Sequence, residues 1–149
     1  MDLKFMDYAF IEAEKAYACG EVPVGAVIVR GNEIIATAYN KKEKMSCAIA
    51  HAEILAIEKA SKKMKNWRLE DCDIYVTLEP CPMCASAIKQ SRIKNVYSAL
   101  QNKDVNNSNL IESIFMSDRV NPNVNFVNNL SVEKSEQLLQ KFFASRRKK

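Results

Sequence analysis

The chain has 149 residues, 22 Lys and Arg against 18 Asp and Glu for a formal charge of +4, and 48% hydrophobic residues. That length predicts one domain over 1–149 with a real core, and no apolar run approaches the roughly 18 residues a membrane helix needs. Five cysteines, an odd number, argue against a disulfide framework, and the start Met1-Asp2-Leu3-Lys4-Phe5 lacks a signal-peptide pattern, so the expected compartment is the reducing cytoplasm.

In chain order, Phe5, Tyr8, Ala9, Ile11, Glu12, Ala16 and Tyr17 keep a mostly helical spacing that predicts a helix over 3–18, stopped near Gly20. Strand-like stretches at 25–30 and 34–39 flank Gly31-Asn32, residues that tolerate positive φ in a tight turn, and so form a hairpin. A polar loop at 41–44 leads to a helix over 50–64, with Ile54, Leu55 and Ile57 on its apolar side and Lys59, Lys62 and Lys63 toward its C-terminal end. A short apolar strand at 74–78 feeds a helix at 82–91. Then come a strand at 94–100, a polar, turn-rich stretch at 101–109, a weak helix at 110–116, a brief strand at 124–127 and a last helix at 132–146. Alternating helix and strand in this order predicts an α/β three-layer sandwich, a mixed five-stranded sheet with helices on both faces.

Chemistry concentrates in two places. In Glu79-Pro80-Cys81-Pro82-Met83-Cys84, two cysteines three apart sit where Pro82 suits a first helical turn, so both thiols lie near a helix N-terminus, where the dipole favours thiolates. Zinc needs more than two ligands, and the chain has one histidine, His51, two residues before Glu53. Three protein ligands would leave the fourth tetrahedral position open to water, as in a catalytic zinc site. Glu53, if it does not ligate, is placed to take a proton from that water. A Cys-x-x-Cys alone also occurs in zinc ribbons and thiol redox proteins, but a ribbon needs a second pair and a redox site needs no distant His-x-Glu. Cys19, Cys47 and Cys72 have no matching spacing and read as small buried apolar residues.

His-x-Glu followed by Pro-Cys-x-x-Cys is the recognised signature of zinc nucleobase deaminases, present here in full. Together with Glu21-Val22-Pro23-Val24-Gly25-Ala26-Val27, Asn40, Thr77-Leu78-Glu79 and the closing Leu138-Leu139-Gln140-Lys141-Phe142-Phe143 with Arg146-Arg147, it makes residues 5–147 resemble the tRNA-specific adenosine deaminases of bacteria. The resemblance implies a cytidine-deaminase-like fold, one zinc per subunit on His51, Cys81 and Cys84, and Glu53 as proton shuttle. The substrate would be a wobble adenosine flipped from a tRNA anticodon loop and converted to inosine. It further implies a homodimer, a base contact from Asn40, a pocket lined by Val24 and Ala52, and contacts of Phe143 and Arg146 to flanking nucleotides.

Three stretches depart from that pattern. Cys47-Ala48-Ile49-Ala50 stands where relatives carry Asp-Pro-Thr-Ala, Asn106-Asn107-Ser108-Asn109 replaces a glycine-rich segment, and Asn121-Pro122-Asn123-Val124-Asn125 lacks a histidine. The same zinc signature serves deaminases of free cytosine, cytidine or guanine, and an RNA-binding module with structural zinc is a further alternative that leaves Glu53 unexplained. The charge distribution separates them. Residues 132–149 hold six basic and two acidic side chains, so the whole net charge lies there, directly beside Phe142-Phe143. An aromatic for stacking beside cations for phosphate suits single-stranded RNA, with one of the two phenylalanines assigned to the core.

Overall fold

Residues 25–30 read Gly-Ala-Val-Ile-Val-Arg, and a run apolar at almost every position belongs inside a sheet covered on both faces. The computed structural model describes residues 1–102, 108–117, 120 and 124–147. It orders them as α1 (Lys4–Ala18), β1 (Gly25–Arg30), β2 (Glu33–Tyr39), α2 (Ala52–Met64), β3 (Cys72–Val76), α3 (Pro82–Gln90), β4 (Asn95–Ser98), α4 (Ser108–Met116), β5 (Asn125–Val127) and α5 (Val132–Arg147). The strands form one sheet in the order β2-β1-β3-β4-β5. β1 is antiparallel to β2 and β3, whereas β3, β4 and β5 are mutually parallel, which makes the sheet mixed as expected.

Strand alternation divides the core in two. Ala26, Ile28, Ile74, Val76 and Val96 face Ala52, Ala56 and Ala60 of α2, Ala85 and Ile88 of α3, and Ile111 and Phe115 of α4. Val27, Val29, Tyr75 and Tyr97 face Phe5, Met6, Ala9 and Phe10 of α1, joined by Leu138 of α5. The expected three layers are therefore present. A register shift opposite Ile28 and Val29 lets Ile34 join the α1 side while Ile35, Ala36 and Ala38 face α2.

Two glycines fix the packing of α1. Gly20, at φ 78°, follows the helix, with its N–H on the Tyr17 carbonyl and that of Glu21 on the Ala16 carbonyl, the Schellman arrangement. Gly25 lies where α1 crosses β1: a Cβ there would come within 2.0 Å of the Ala9 carbonyl oxygen, so no larger residue fits. In the hairpin, Gly31 takes the positive φ and Asn32 does not.

Several expectations need correction. Tyr8 and Ile11 of α1 are exposed, because Phe5, Met6, Ala9, Phe10, Ala13 and Ala16 fill the buried face. Along α2 the sheet-facing residues are the alanines, whose size allows close approach, and Ile54, Leu55 and Ile57 are only half-buried. That helix starts at Ala52 rather than 50, because His51 is its extended N-cap. β3 spans Cys72–Val76 rather than 74–78: at Thr77 the chain stays fastened to Gly25, then turns toward Pro80. β4 ends at Ser98, before Leu100, whose carbonyl accepts the Glu79 N–H. Only Cys72 of the three unassigned cysteines is buried; Cys47 is half-buried and Cys19 exposed. Asn106, Asn107 and 121–123 lie outside the described residues.

Candidate active site

The first turns of α2 and α3 meet at the end of the sheet where β3 delivers its C-terminus. His51 is the N-cap of α2 and Cys81 the N-cap of α3, both extended, and neither side chain is spent on capping its own helix. Pro82 occupies the first turn of α3, where no amide hydrogen bond is lost. Cys84, one turn on, points to the same place and is fully buried.

The resulting cluster has metal-ligand dimensions. One donor atom each from His51, Cys81 and Cys84 lies within 4.8 Å of the others, and His51 Nδ1 is 3.4 Å from Cys84 Sγ and 3.7 Å from Cys81 Sγ. A tetrahedral zinc with ordinary Zn–S and Zn–N bonds separates such atoms by roughly 3.6 Å, so the donors fit the ion. Electrostatics agrees. A hydrogen bond with Cys84, aided by His51, pulls the Cys81 thiol down to about 4 against burial. The hydrogen bond with Cys81 raises His51, while the bond to Cys81, burial and the Glu53 charge push Cys84 up. A divalent cation among these donors resolves that conflict by favouring both thiolates at once.

Glu53 stands apart from the three donors yet against them. It sits in the first turn of α2, 4% exposed, and burial above all pushes it up to about 7, with the Cys81 charge adding to the shift. A carboxyl tuned near neutrality can both accept and return a proton.

A cavity of about 200 Å³ opens over this group, lined by Asn40, His51, Ala52, Glu53 and Cys81, with Val22, Val24, Lys42, Leu78, Glu79 and Asn102 completing its wall. Asn40 is buried; its Nδ2 donates to the Val22 carbonyl at 3.2 Å and its Oδ1 accepts the Lys42 N–H at 3.1 Å, leaving one donor and one acceptor valence for a ligand. Next to it lies a groove of about 770 Å³ that shares Val22, Leu78 and Asn102 and is walled by Glu136, Leu139, Gln140, Phe143 and Ala144 of α5.

The sequence-based assignments thus fall into two sets. Asn40, Val24, Ala52, His51, Glu53 and Cys81 share the cavity wall, with Cys84 behind it. Phe143, 42% exposed, lines the groove, whereas Phe142, 5% exposed, is core. Arg146 lines neither: it donates to the Gly20 carbonyl and lies 4.9 Å over the Phe142 ring. Val22, Lys42, Leu78 and Asn102 have no role that spacing alone would have marked. Glu79 belongs to the cysteine motif without a chemical part in it; its Oε2 accepts the Asn102 N–H, tying the cysteine turn to the exit of β4.

Comparison with known proteins agrees with this geometry. Residues 1–100 match the family model described as the cytidine and deoxycytidylate deaminase zinc-binding region. The chain is 41% identical over 148 residues to a tRNA-specific adenosine deaminase of Bacillus subtilis, covering 99% of this chain and 92% of the relative. It is 41% identical over 143 residues to one of Aquifex aeolicus, covering 93% and 91%. Among solved structures it superposes with a TM-score of 0.84 and 33% identity on one from work on A-to-I editing by tRNA:A34 deaminases, covering 93% of this chain and all of the other. A guanine deaminase of Nitrosomonas europaea, at 22% identity and TM-score 0.80, shares the fold; that match covers 93% of this chain and 82% of the other.

Proposed function

The chain belongs to the cytidine and deoxycytidylate deaminase zinc-binding family, and from that premise we propose that it hydrolyses adenosine to inosine at the wobble position of a tRNA anticodon. The observation that carries this reading is a metal-ligand cluster and a buried carboxyl in one cavity that shares a wall with a groove along α5. A base can enter the cavity while its neighbours in the strand occupy the groove, as base flipping requires. A deaminase of free bases would have no use for the groove.

His51, Cys81 and Cys84 would hold one zinc per chain, and the bound ion supplies a water acidified toward neutral pH. Glu53 takes the proton of the attacking water, passes it to the ring nitrogen, and protonates the departing amine. The water oxygen is thereby added to the carbon that carried the amine, and ammonia leaves. Asn40 orients the base through its remaining amide valences, while Val24 and Ala52 give the cavity its apolar sides. Phe143 offers a stacking surface to a flanking base.

A homodimer in the cytoplasm completes the proposal. The helices of the α2–α4 layer leave Ile54 and Met83 half-buried and Leu110 and Met116 exposed, whereas Ile88 belongs to the core. No described helix is long and apolar enough to cross a membrane. The test is to incubate the protein with total cellular tRNA, digest to nucleosides and look for inosine, beside free adenosine, cytidine and guanine. Inosine in tRNA with inert free bases is the expected result; turnover of a free base and none of tRNA would overturn the substrate.

A further inference from the structure

Glu21 precedes β1, is 2% exposed, and takes no part in the reaction as drawn. Its Oε1 accepts the N–H of Glu43 at 3.0 Å and its Oε2 the N–H of Lys44 at 2.7 Å. Burying a carboxylate is costly unless its oxygens are satisfied, and here the satisfying donors are backbone amides of one loop more than twenty residues away. That loop runs from Asn40 to His51, so it joins the residue facing the base to a donor of the metal cluster. Its other backbone ties are local, Lys41 to Ala50, Met45 to Lys41 and Cys47 to Lys42, apart from the Asn40 N–H on the Val24 carbonyl at 3.0 Å where the loop leaves β2. Glu21 fixes the loop to the body of the fold, and the next residue, Val22, holds Asn40 Nδ2 through its carbonyl. Lys42, whose N–H is held by Asn40 Oδ1, also lines the cavity.

We propose that Glu21 is a positioning residue for substrate: its carboxylate clamps the 40–51 loop so that Asn40 presents its free amide valences to the cavity. The functional part rests on the deaminase reading above; the clamp itself does not. A glutamine at this position keeps the shape but offers one oxygen, and its NH₂ faces an N–H, so one of the two loop bonds is lost. The position of His51 is also fixed by α2, whose Leu55 N–H bonds the His51 carbonyl, so zinc binding should survive.

The test compares wild type with Glu21→Gln, and with Glu21→Asp, whose shorter reach weakens the same bonds should the first variant fold poorly. Amide hydrogen exchange reads the clamp without any substrate. In Glu21→Gln, exchange at whichever of Glu43 and Lys44 loses its acceptor should quicken by at least about tenfold, as expected for losing a charge-assisted hydrogen bond, while the β1 amides stay protected. Zinc per chain should be unchanged. With an anticodon stem-loop as substrate, KM should rise by about tenfold, because orientation is lost, and kcat should stay within about threefold. Unchanged loop exchange would overturn the clamp. Zinc, kcat, KM and melting temperature collapsing together in both variants would overturn the positioning role and leave a purely structural one. Should wild type deaminate no RNA, the substrate reading fails while loop exchange still decides the clamp.

Discussion

His51 and Cys81 occupy equivalent places, each the N-cap of a helix, with Nδ1 and Sγ 3.7 Å apart across the gap between those helices. Two helix N-termini thus aim their positive ends at one cluster containing two thiols, which favours thiolates and places opposite charge where a cation must be shared.

The first prediction follows from the ligand count. Purified protein should carry one zinc per chain, and Cys84→Ala should lose both the metal and the activity. Cys47→Ala should keep both, because its side chain lies outside the cluster. Metal analysis beside inosine formation checks this, and full zinc occupancy in Cys84→Ala would remove the site.

Glu53→Gln separates ligation from proton transfer. The amide fills the same buried space but cannot shuttle a proton, so turnover should fall by at least about a hundredfold with zinc content and fold retained. Loss of zinc in this variant would make Glu53 a ligand.

What the sequence revealed about this site depended on how its residues are arranged along the chain. His51 with Glu53 and Cys81 with Cys84 are read from spacing because one helical turn carries each pair. Val22, Leu78 and Asn102 reach the cavity from three separate stretches, and only the pairing of β3 with both β1 and β4 brings them together. In α2, apolar character pointed to isoleucines, while close packing on the sheet selected alanines. Both phenylalanines of α5 satisfied the same pattern, and the side that faces Tyr17 decided which is buried.

Cys72 gives a pH prediction away from the site. Burial, first of all, raises its thiol above the usual value, so the folded state keeps a proton that the unfolded state releases above about 8.5. Stability should therefore fall as pH rises from that point toward the folded value, by up to about 1.4 kcal/mol per pH unit. Cys72→Ala should be less stable near neutral pH by about 1 kcal/mol and should flatten the alkaline decline. Denaturation midpoints at about pH 7.5 and about pH 9.5, on either side of the free thiol's pKa, measure both; parallel declines in the two proteins would contradict the burial effect.

Phe142 and Phe143 should behave as opposites. Phe142→Ala empties a core position and should cost about 3–5 kcal/mol of stability, weakening every activity through the fold. Phe143→Ala should leave the melting temperature nearly unchanged and cost about 1–3 kcal/mol in binding an anticodon stem-loop. Thermal melts beside binding assays decide, and a large fall in melting temperature for Phe143→Ala would place it in the core.

The final prediction concerns charge. All of the net positive charge lies in residues 132–149, so RNA binding should weaken steeply with salt. Every phosphate that goes without its cation should flatten the logarithmic salt slope by about 0.7–0.9, so replacing Arg146 and Arg147 together should flatten it by about twice that at most. Arg146 has a second role, since its guanidinium bonds the Gly20 carbonyl and covers the Phe142 ring. Arg146→Ala should therefore lower stability by about 1 kcal/mol in addition to any change in slope, and Arg146→Gln should keep less of the ring packing than of the hydrogen bond. Phe143→Ala should by contrast lower affinity equally at low and high salt, because stacking releases no counterions. Stem-loop binding across a salt series, with melts of each variant, distinguishes these contributions: a slope unchanged in the double arginine variant would show that neither arginine meets a phosphate and leave any electrostatic contact to the lysines of the tail.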